Sequence, residues 1–390
     1  MKRLIYLDNS ATTRICEEAL AKYNEVSLST YGNPSSLHSF GFDAEKEIKD
    51  VRRAICDSLA AKDASVIFTA SGSEANNLAI TGRAFSKERY KKGAKIITTE
   101  GEHASVTEPL KQLEKSGFKI EYVPTRAGKI DLDALKRELT ADVILVTAMM
   151  VNNETGALYD IKSVSEIMKE CAPDALLHVD ATQSYLKLPI SMRALGADMI
   201  TLSSHKIAGP KGVGALVVAP WVIKSKGISP IIFGGGQEGG LRSGTENVPG
   251  IAAFGAAVRH GVAGLAKKRE ALENLRSYLI EKLTRVPTLA EISITNPVAH
   301  APHILNITLP SIKSETMLHY LSAEGIFVSS GSACSSNSHH LSSALIAFGR
   351  SEREADCSIR ISFCAENTKE DVDALCDALE QGLKKLARIR

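Results

Sequence analysis

From Ser65 to about Ala219, short apolar runs alternate with amphipathic stretches, and this alternation narrows the possible fold more than any other feature of the chain. The runs are Val66-Ile67-Phe68, Lys95-Ile96-Ile97, Val143 to Val146, Ala175 to Val179, Met199 to Leu202 and Gly214 to Val218. A strand with one wet face alternates apolar and polar residues, whereas unbroken apolar runs of this length suit strands covered on both faces. Between them, Glu74 to Ala84, Ala104 to Ser116 and Leu132 to Leu139 read as helices. The sequence therefore predicts an α/β fold, a mostly parallel sheet covered by helices. Ahead of it, Phe42 to Ala61 carries Ile48, Val51, Ile55 and Leu59 at helical spacing. That single apolar stripe is expected to pack on the sheet or on a partner.

Beyond the sheet the pattern changes. A glycine-dense loop runs from Gly234-Gly235-Gly236 to Gly244, followed by a helical stretch from about Asn247 to Thr284 that is expected to contain a domain boundary. Strands at Ile304 to Leu309, Ile326 to Ser329 and Ile359 to Phe363, with helices at Glu315 to Ala323 and Lys369 to Ala387, read as a smaller α+β domain. At 390 residues the chain exceeds one ordinary domain. The expected division is a large α/β domain over 15–260 and a small domain formed by 1–14 and 261–390.

Charge and cysteine usage exclude several classes. The 47 basic residues nearly balance the 45 acidic ones, without a long basic run, so neither a nucleic-acid patch nor an anionic membrane surface is expected. The apolar run before Asp8 is too short for a secretory signal core, and no run approaches a membrane span. The seven cysteines are scattered without CxxC spacing, which points to a reducing cytoplasm rather than to disulfides or a zinc site. His339-His340 has no other ligand spacing beside it, and no metal is expected.

The densest chemistry lies in His178-Val179-Asp180-Ala181-Thr182-Gln183 and in Ser203-Ser204-His205-Lys206, both just after apolar runs. Ligands of open α/β sheets sit beyond the carboxyl ends of the strands, so the two clusters should meet at one crevice. A lysine and an acid converging there suit pyridoxal phosphate: the lysine binds the aldehyde, and the carboxylate pairs with the protonated ring nitrogen. Alone, Lys206 reads as a surface charge and Asp180 as a turn or cap. Ala208-Gly209-Pro210-Lys211-Gly212 after Lys206 suits close backbone packing better than a solvated helix face. Ser71-Gly72-Ser73, between a strand and a helix, offers backbone N–H groups to a phosphate or to an N-cap, or to both. Ser203, His205 and Thr245 are further candidate phosphate contacts.

Three more residues stand out. His103, at a strand-to-helix turn, is either structural or a ring that stacks on the cofactor and moves protons. Cys334 lies in Ser329-Ser330-Gly331-Ser332-Ala333-Cys334-Ser335-Ser336-Asn337-Ser338, where every neighbour is small or polar. This composition predicts an exposed, mobile loop giving the thiol access and reach. Arg360, on an alternating strand, forms either a two-point grip on a substrate carboxylate or a structural ion pair.

Together these segments resemble the NifS-like cysteine desulfurases, class V aminotransferases among the fold-type I pyridoxal-phosphate transferases. The resemblance covers nearly the whole chain. It rests on Tyr6 to Thr13, Asn33-Pro34-Ser35-Ser36-Leu37-His38, Val151-Asn152-Asn153-Glu154-Thr155-Gly156, His178 to Gln183, His205-Lys206 and Arg242-Ser243-Gly244-Thr245. The Ser329 to Cys334 segment looks like that of the longer-loop first group.

The resemblance implies that Lys206 holds the cofactor and carries protons. Asp180 would face the ring nitrogen, Gln183 the ring oxygen, and His103 the ring face. Gly72, Ser73, Ser203 and His205 would bind the phosphate, with Thr245 reaching across a homodimer to the neighbouring subunit's phosphate. Asn153 and Arg360 would hold the carboxylate of L-cysteine, and Cys334 would carry sulfur as a persulfide to an acceptor such as an iron–sulfur scaffold. Two departures stand out. Phe363-Cys364-Ala365 replaces a usual glycine near Arg360, and Ser73 replaces a common threonine. The chain also stops soon after its last helix, so acceptor contacts made by longer tails in some relatives are expected to be missing. Two other readings share most of these residues: a selenocysteine lyase or class V aminotransferase, and a non-catalytic module binding sulfur-transfer partners.

Overall fold

The six expected strands and one not expected, Lys119–Val123, assemble into a seven-stranded sheet in the computed structural model, which describes residues 3–86, 94–330 and 342–386. After a short β1 (Ile5–Tyr6), the sheet takes β2 (Ser65–Thr69), β3 (Lys95–Thr99), β4 (Lys119–Val123), β5 (Val143–Met149), β6 (Leu176–Asp180), β7 (Met199–Ser203) and β8 (Gly214–Val218). Their order is β2-β8-β7-β6-β5-β3-β4. β8 runs antiparallel to both neighbours, and every other pairing is parallel. The unbroken apolar runs follow from helices on both faces: Ile96 and Leu216 join one core, and the next residues, Ile97 and Val217, join the other.

Chain order makes the crevice. From β3 the chain moves outward to β4, then returns to place β5 on the other side of β3. The segments leaving the adjacent carboxyl ends of β3 and β5 thus diverge, opening the gap where open α/β sheets bind ligands. His103 follows β3, Asn152 and Asn153 follow β5, Asp180 ends β6, and Lys206 follows β7.

A further core packs around a four-stranded antiparallel sheet, β12-β13-β10-β9, made of β9 (Ser293–Thr295), β10 (Ile304–Thr308), β12 (Ser329–Ser330) and β13 (Ser358–Ser362). β1 pairs in parallel with β11 (Ile326–Phe327), so Ile5 and Leu7 are buried in this core, while further on Thr13 donates its N–H to the His205 carbonyl after β7 of the large sheet.

Two elements differ from expectation. The stretch from Asn247 is two helices, Val248–Val262 and Leu265–Arg285, bent by 73°. Gly264 sits at the break with φ +74°, a left-handed conformation that glycine adopts without penalty. The strand expected over Ile326 to Ser329 divides between β11 and β12, which belong to different sheets. No single described helix is long and apolar enough to cross a membrane.

The apolar stripe at Ile48, Val51 and Ile55 lies on helix Ser39–Ser58 and packs within the chain, against helix Val248–Val262. Contact there is close enough that a Cβ on Gly255 would fall 2.5 Å from Val51 Cγ2. Gly255→Val is therefore expected to cost about 1–3 kcal/mol by overpacking. Thermal unfolding checks this, and an unchanged midpoint would mean that the two helices separate freely.

Candidate active site

The amino-terminal segment ties the crevice together. Lys206, on the turn after β7, donates from Nζ to the carbonyls of Ser10 at 2.5 Å and Ala11 at 2.7 Å. Gln183 Nε2 donates to the same Ser10 carbonyl at 2.9 Å. The turn carrying Lys206 is fixed from the same side, since Ala208, with φ +63°, donates its N–H to Thr13 Oγ1 at 2.8 Å. His205 places Nδ1 3.1 Å from Thr12 Oγ1, and burial next to Lys206 and Lys211 pulls its pKa down to about 4. His205 is therefore neutral at pH 7.

Asp180 is buried at the end of β6. Its Oδ1 accepts from the Thr182 N–H at 2.9 Å and its Oδ2 from Asn76 Nδ2 at 2.8 Å. A carboxylate accepts about four hydrogen bonds, so one donor on each oxygen leaves lone pairs for a protonated ring nitrogen. Asn76 Nδ2 also donates to Ser105 Oγ at 2.8 Å, and Ser105 Oγ lies 2.8 Å from His103 Nδ1. His103 caps the helix Ala104–Lys115, its Nδ1 accepting from the Ser105 N–H at 3.1 Å. Burial lowers the pKa of His103; Asp180 opposes that effect, while Lys206 and Arg360 add to it.

Ser71 caps helix Gly72–Ala84 by accepting from the Glu74 N–H at 3.1 Å. A Cβ on Gly72 would sit 3.1 Å from Ser203 Cβ and 3.3 Å from Thr182 Oγ1, so this helix start closes directly on the ends of β6 and β7. Glycine permits that approach. Gly72, Ser73 and Ser203 thus share one corner, with the helix dipole favouring an anion there.

Arg360, on β13, is buried. It donates from Nη2 to Asp8 Oδ1 at 2.8 Å and from Nη1 to the Asn153 carbonyl at 3.0 Å. Ser329 Oγ reaches the same Asp8 oxygen at 2.8 Å, so the ion pair locks Asp8 to β12 and β13. The structural ion pair and the position beside Asn153 are both present, and Arg360 Nε is buried without a hydrogen-bond partner among the described residues.

Thr245 is exposed. It lines a cavity of about 250 Å³ with Phe68, Ala70, Glu238 and Arg242, and Lys206, Asp180 and His103 are absent from its walls. Cys334 lies outside the described residues. Among them, the only grouping of three close metal-ligating side chains is Cys16, Glu18 and His260.

Asp8, Ser10, Asn76, Ser105 and Glu102 gain roles that the sequence reading did not give them. Asn76 left one signal: an asparagine inside a helical run, where this residue type is disfavoured unless its amide is used. Glu102 accepts on Oε1 from Thr99 Oγ1 at 2.6 Å and the Met149 N–H at 2.9 Å, and its Oε2 is buried without a hydrogen-bond partner among the described residues. Burial pushes its pKa up to about 8, with Asp180 adding to the rise. A carboxyl raised in the folded state stabilises fully below its unfolded value near 4.5 and loses that contribution as pH climbs toward 8. Glu102→Gln is expected to remove this slope, about 1.4 kcal/mol per pH unit at most. Denaturant midpoints at several pH values check it, and an unchanged slope would contradict a neutral Glu102.

The residues present fit pyridoxal phosphate: an amine, a buried carboxylate with spare lone pairs, an amide donor, a ring at the crevice and a helix start suited to a phosphate. Comparison with known proteins agrees. The aminotransferase class-V family profile matches residues 5–375, and the chain belongs to that family of pyridoxal-phosphate enzymes. A curated cysteine desulfurase IscS from Dictyoglomus turgidum is 39% identical over 391 residues, covering 100% of this chain and 97% of the relative. A second, cysteine desulfurase IscS 1 from Archaeoglobus fulgidus, is 37% identical, covering 98% and 97%. A solved NifS-like protein superposes with a TM-score of 0.90 at 35% identity, covering 98% of this chain and 100% of that one. Within the class-V family the chain thus stands among the NifS-like, IscS-type proteins.

Proposed function

We infer that this chain takes sulfur from L-cysteine with pyridoxal phosphate, leaving L-alanine and an enzyme persulfide for delivery to an acceptor. The observation that carries the reading is the meeting of Lys206 and Gln183 on one carbonyl beside the buried Asp180. A solved relative named SspA in complex with cysteine, 32% identical with a TM-score of 0.79, supports the substrate. When bound, the cofactor withdraws electrons from the substrate's α-carbon.

The chain's own groups do the rest. Lys206 would hold the cofactor, and its amine would carry the substrate's α-proton. Asp180, which accepts from the Thr182 N–H and from Asn76 Nδ2, would keep a proton on the ring nitrogen it faces. Gln183 would donate to the ring oxygen, and Gly72, Ser73, Ser203 and neutral His205 would receive the phosphate. Arg360 Nε and Asn153 receive the substrate carboxylate. The Cys334 thiolate attacks the substrate sulfur: an S–S bond forms as the carbon–sulfur bond breaks, its electron pair goes to carbon, and protonation there gives alanine. Thr245, exposed on its glycine-rich loop, completes the phosphate site of a second copy in a homodimer. An iron–sulfur scaffold or another sulfur-transfer protein takes the persulfide. The six described cysteines are free thiols, which supports a reducing compartment, the cytoplasm.

The test is to incubate purified protein with L-cysteine and a thiol reductant and to measure products. Alanine and sulfide in equal amounts are expected. Turnover restricted to selenocysteine, or to amino-acid and keto-acid pairs, would replace the reading with a lyase or an aminotransferase. A colourless protein without turnover would leave a binding module.

A further inference from the structure

Asn76 Nδ2 has two hydrogens, and both are used. One goes to Asp180 Oδ2 and the other to Ser105 Oγ, each at 2.8 Å. An ionised carboxylate only accepts, so Asp180 dictates that the amide presents nitrogen rather than oxygen on this side. Ser105 Oγ, having accepted from Asn76, has its own hydrogen left for His103 Nδ1 at 2.8 Å. The same ring nitrogen accepts the Ser105 backbone N–H at 3.1 Å. Donors therefore point at Nδ1 from two directions, and the ring's hydrogen belongs on Nε2. Asn76 is itself 1% exposed, so no solvent competes for its amide.

We propose that Asn76 is a positioning residue: through one amide nitrogen it aligns Asp180 and, by way of the Ser105 hydroxyl, it holds His103 as a neutral ring protonated on Nε2. This deepens the pyridoxal-phosphate reading of the site and rests on it. Its consequence is a division of labour. Cationic His103 would need a proton on Nδ1, where it would face two donors, so His103 serves as a ring surface and an Nε2 donor while proton traffic falls to Lys206. The charges facing His103 are Asp180, which favours the cation, and Lys206 and Arg360, which oppose it. The pair of donors on Nδ1 decides the outcome against Asp180.

The experiment is nitrogen NMR of holoenzyme carrying labelled histidine, with His103→Gln identifying the signal. From about pH 6 to about pH 9, a window that spans the usual histidine transition, the His103 signal is expected to keep a bare Nδ1 and a protonated Nε2. Asn76→Ala and Ser105→Ala should each admit a second tautomer or a protonation step near neutral pH, and Ser105→Thr, which keeps the hydroxyl, should restore the single form. Asn76→Ala should also weaken cofactor retention about tenfold, the order expected when a charged acceptor loses one hydrogen bond. Ser105→Ala is the smaller change and keeps the test open if Asn76→Ala fails to fold. An Nδ1-protonated or cationic His103 in the unaltered enzyme would overturn the proposal, as would an unchanged signal in both alanine variants. The nitrogen signals are read without turnover, whereas failure of the desulfurase reading appears as unaltered enzyme that makes no alanine from cysteine.

Discussion

Lys206→Ala is expected to lower alanine formation from L-cysteine by about 10³-fold or more and to leave no cofactor fixed to the chain by borohydride. The magnitude combines loss of the covalent hold with loss of a positioned proton carrier, the latter alone worth about 10²–10⁴-fold. The fold should survive. Lys206 sits on an outer turn whose backbone is independently anchored by Thr13 and Cys16, and its side chain reaches backbone carbonyls instead of the packed cores. Absorbance in the visible, peptide mapping after borohydride and product analysis check the three parts. A variant that keeps a tenth of the original rate would remove Lys206 from the mechanism.

Cys334→Ser is expected to abolish sulfide release, by about 10³-fold or more, while cofactor loading stays unchanged. A hydroxyl has the reach of the thiol but is a far weaker nucleophile at neutral pH, because the attacking species is the thiolate. Loading should be untouched because each group assigned to the cofactor comes from another part of the chain: β6, β7, the helix start at Gly72, and the turn at His103. The described cysteines offer poor substitutes. Burial raises the pKa of Cys364 to about 11 and that of Cys376 to about 12. Sulfide release measured with dye-based detection, beside the cofactor spectrum of the same sample, separates the two effects.

The parts of this account legible in the sequence are those with short-range causes. Strands covered on both faces must be apolar at consecutive positions, so six of the seven in the large sheet stood out. β4 did not, because one of its faces is wet, unlike that of the other edge strand, β2: Lys119-Ile120-Glu121-Tyr122-Val123 alternates, with Lys119 paired to Glu121 at the surface. The antiparallel direction of β8 was equally hidden, since Gly214 to Val218 is buried whichever way it runs. Asp180, Lys206 and Gln183 were visible because each closely follows an apolar run, at the sheet edge where ligands bind. The role of Asp8 to Thr13 was not, since it depends on contacts to residues more than 190 positions away, from Ser10 and Ala11 to Lys206 and from Asp8 to Arg360. Asn76 and Ser105 escaped for the same reason: their chemistry arises where a helix start, a strand end and a turn meet.

The proposed function turns on the passage of one sulfur atom from L-cysteine to Cys334. Mass spectrometry of the intact peptides after brief treatment with L-cysteine, without reductant, measures it most directly. One extra sulfur on the peptide bearing Cys334, absent when Lys206 is alanine, is the predicted result. Extra sulfur on the peptide of any other cysteine, or none at all while alanine accumulates, would contradict it.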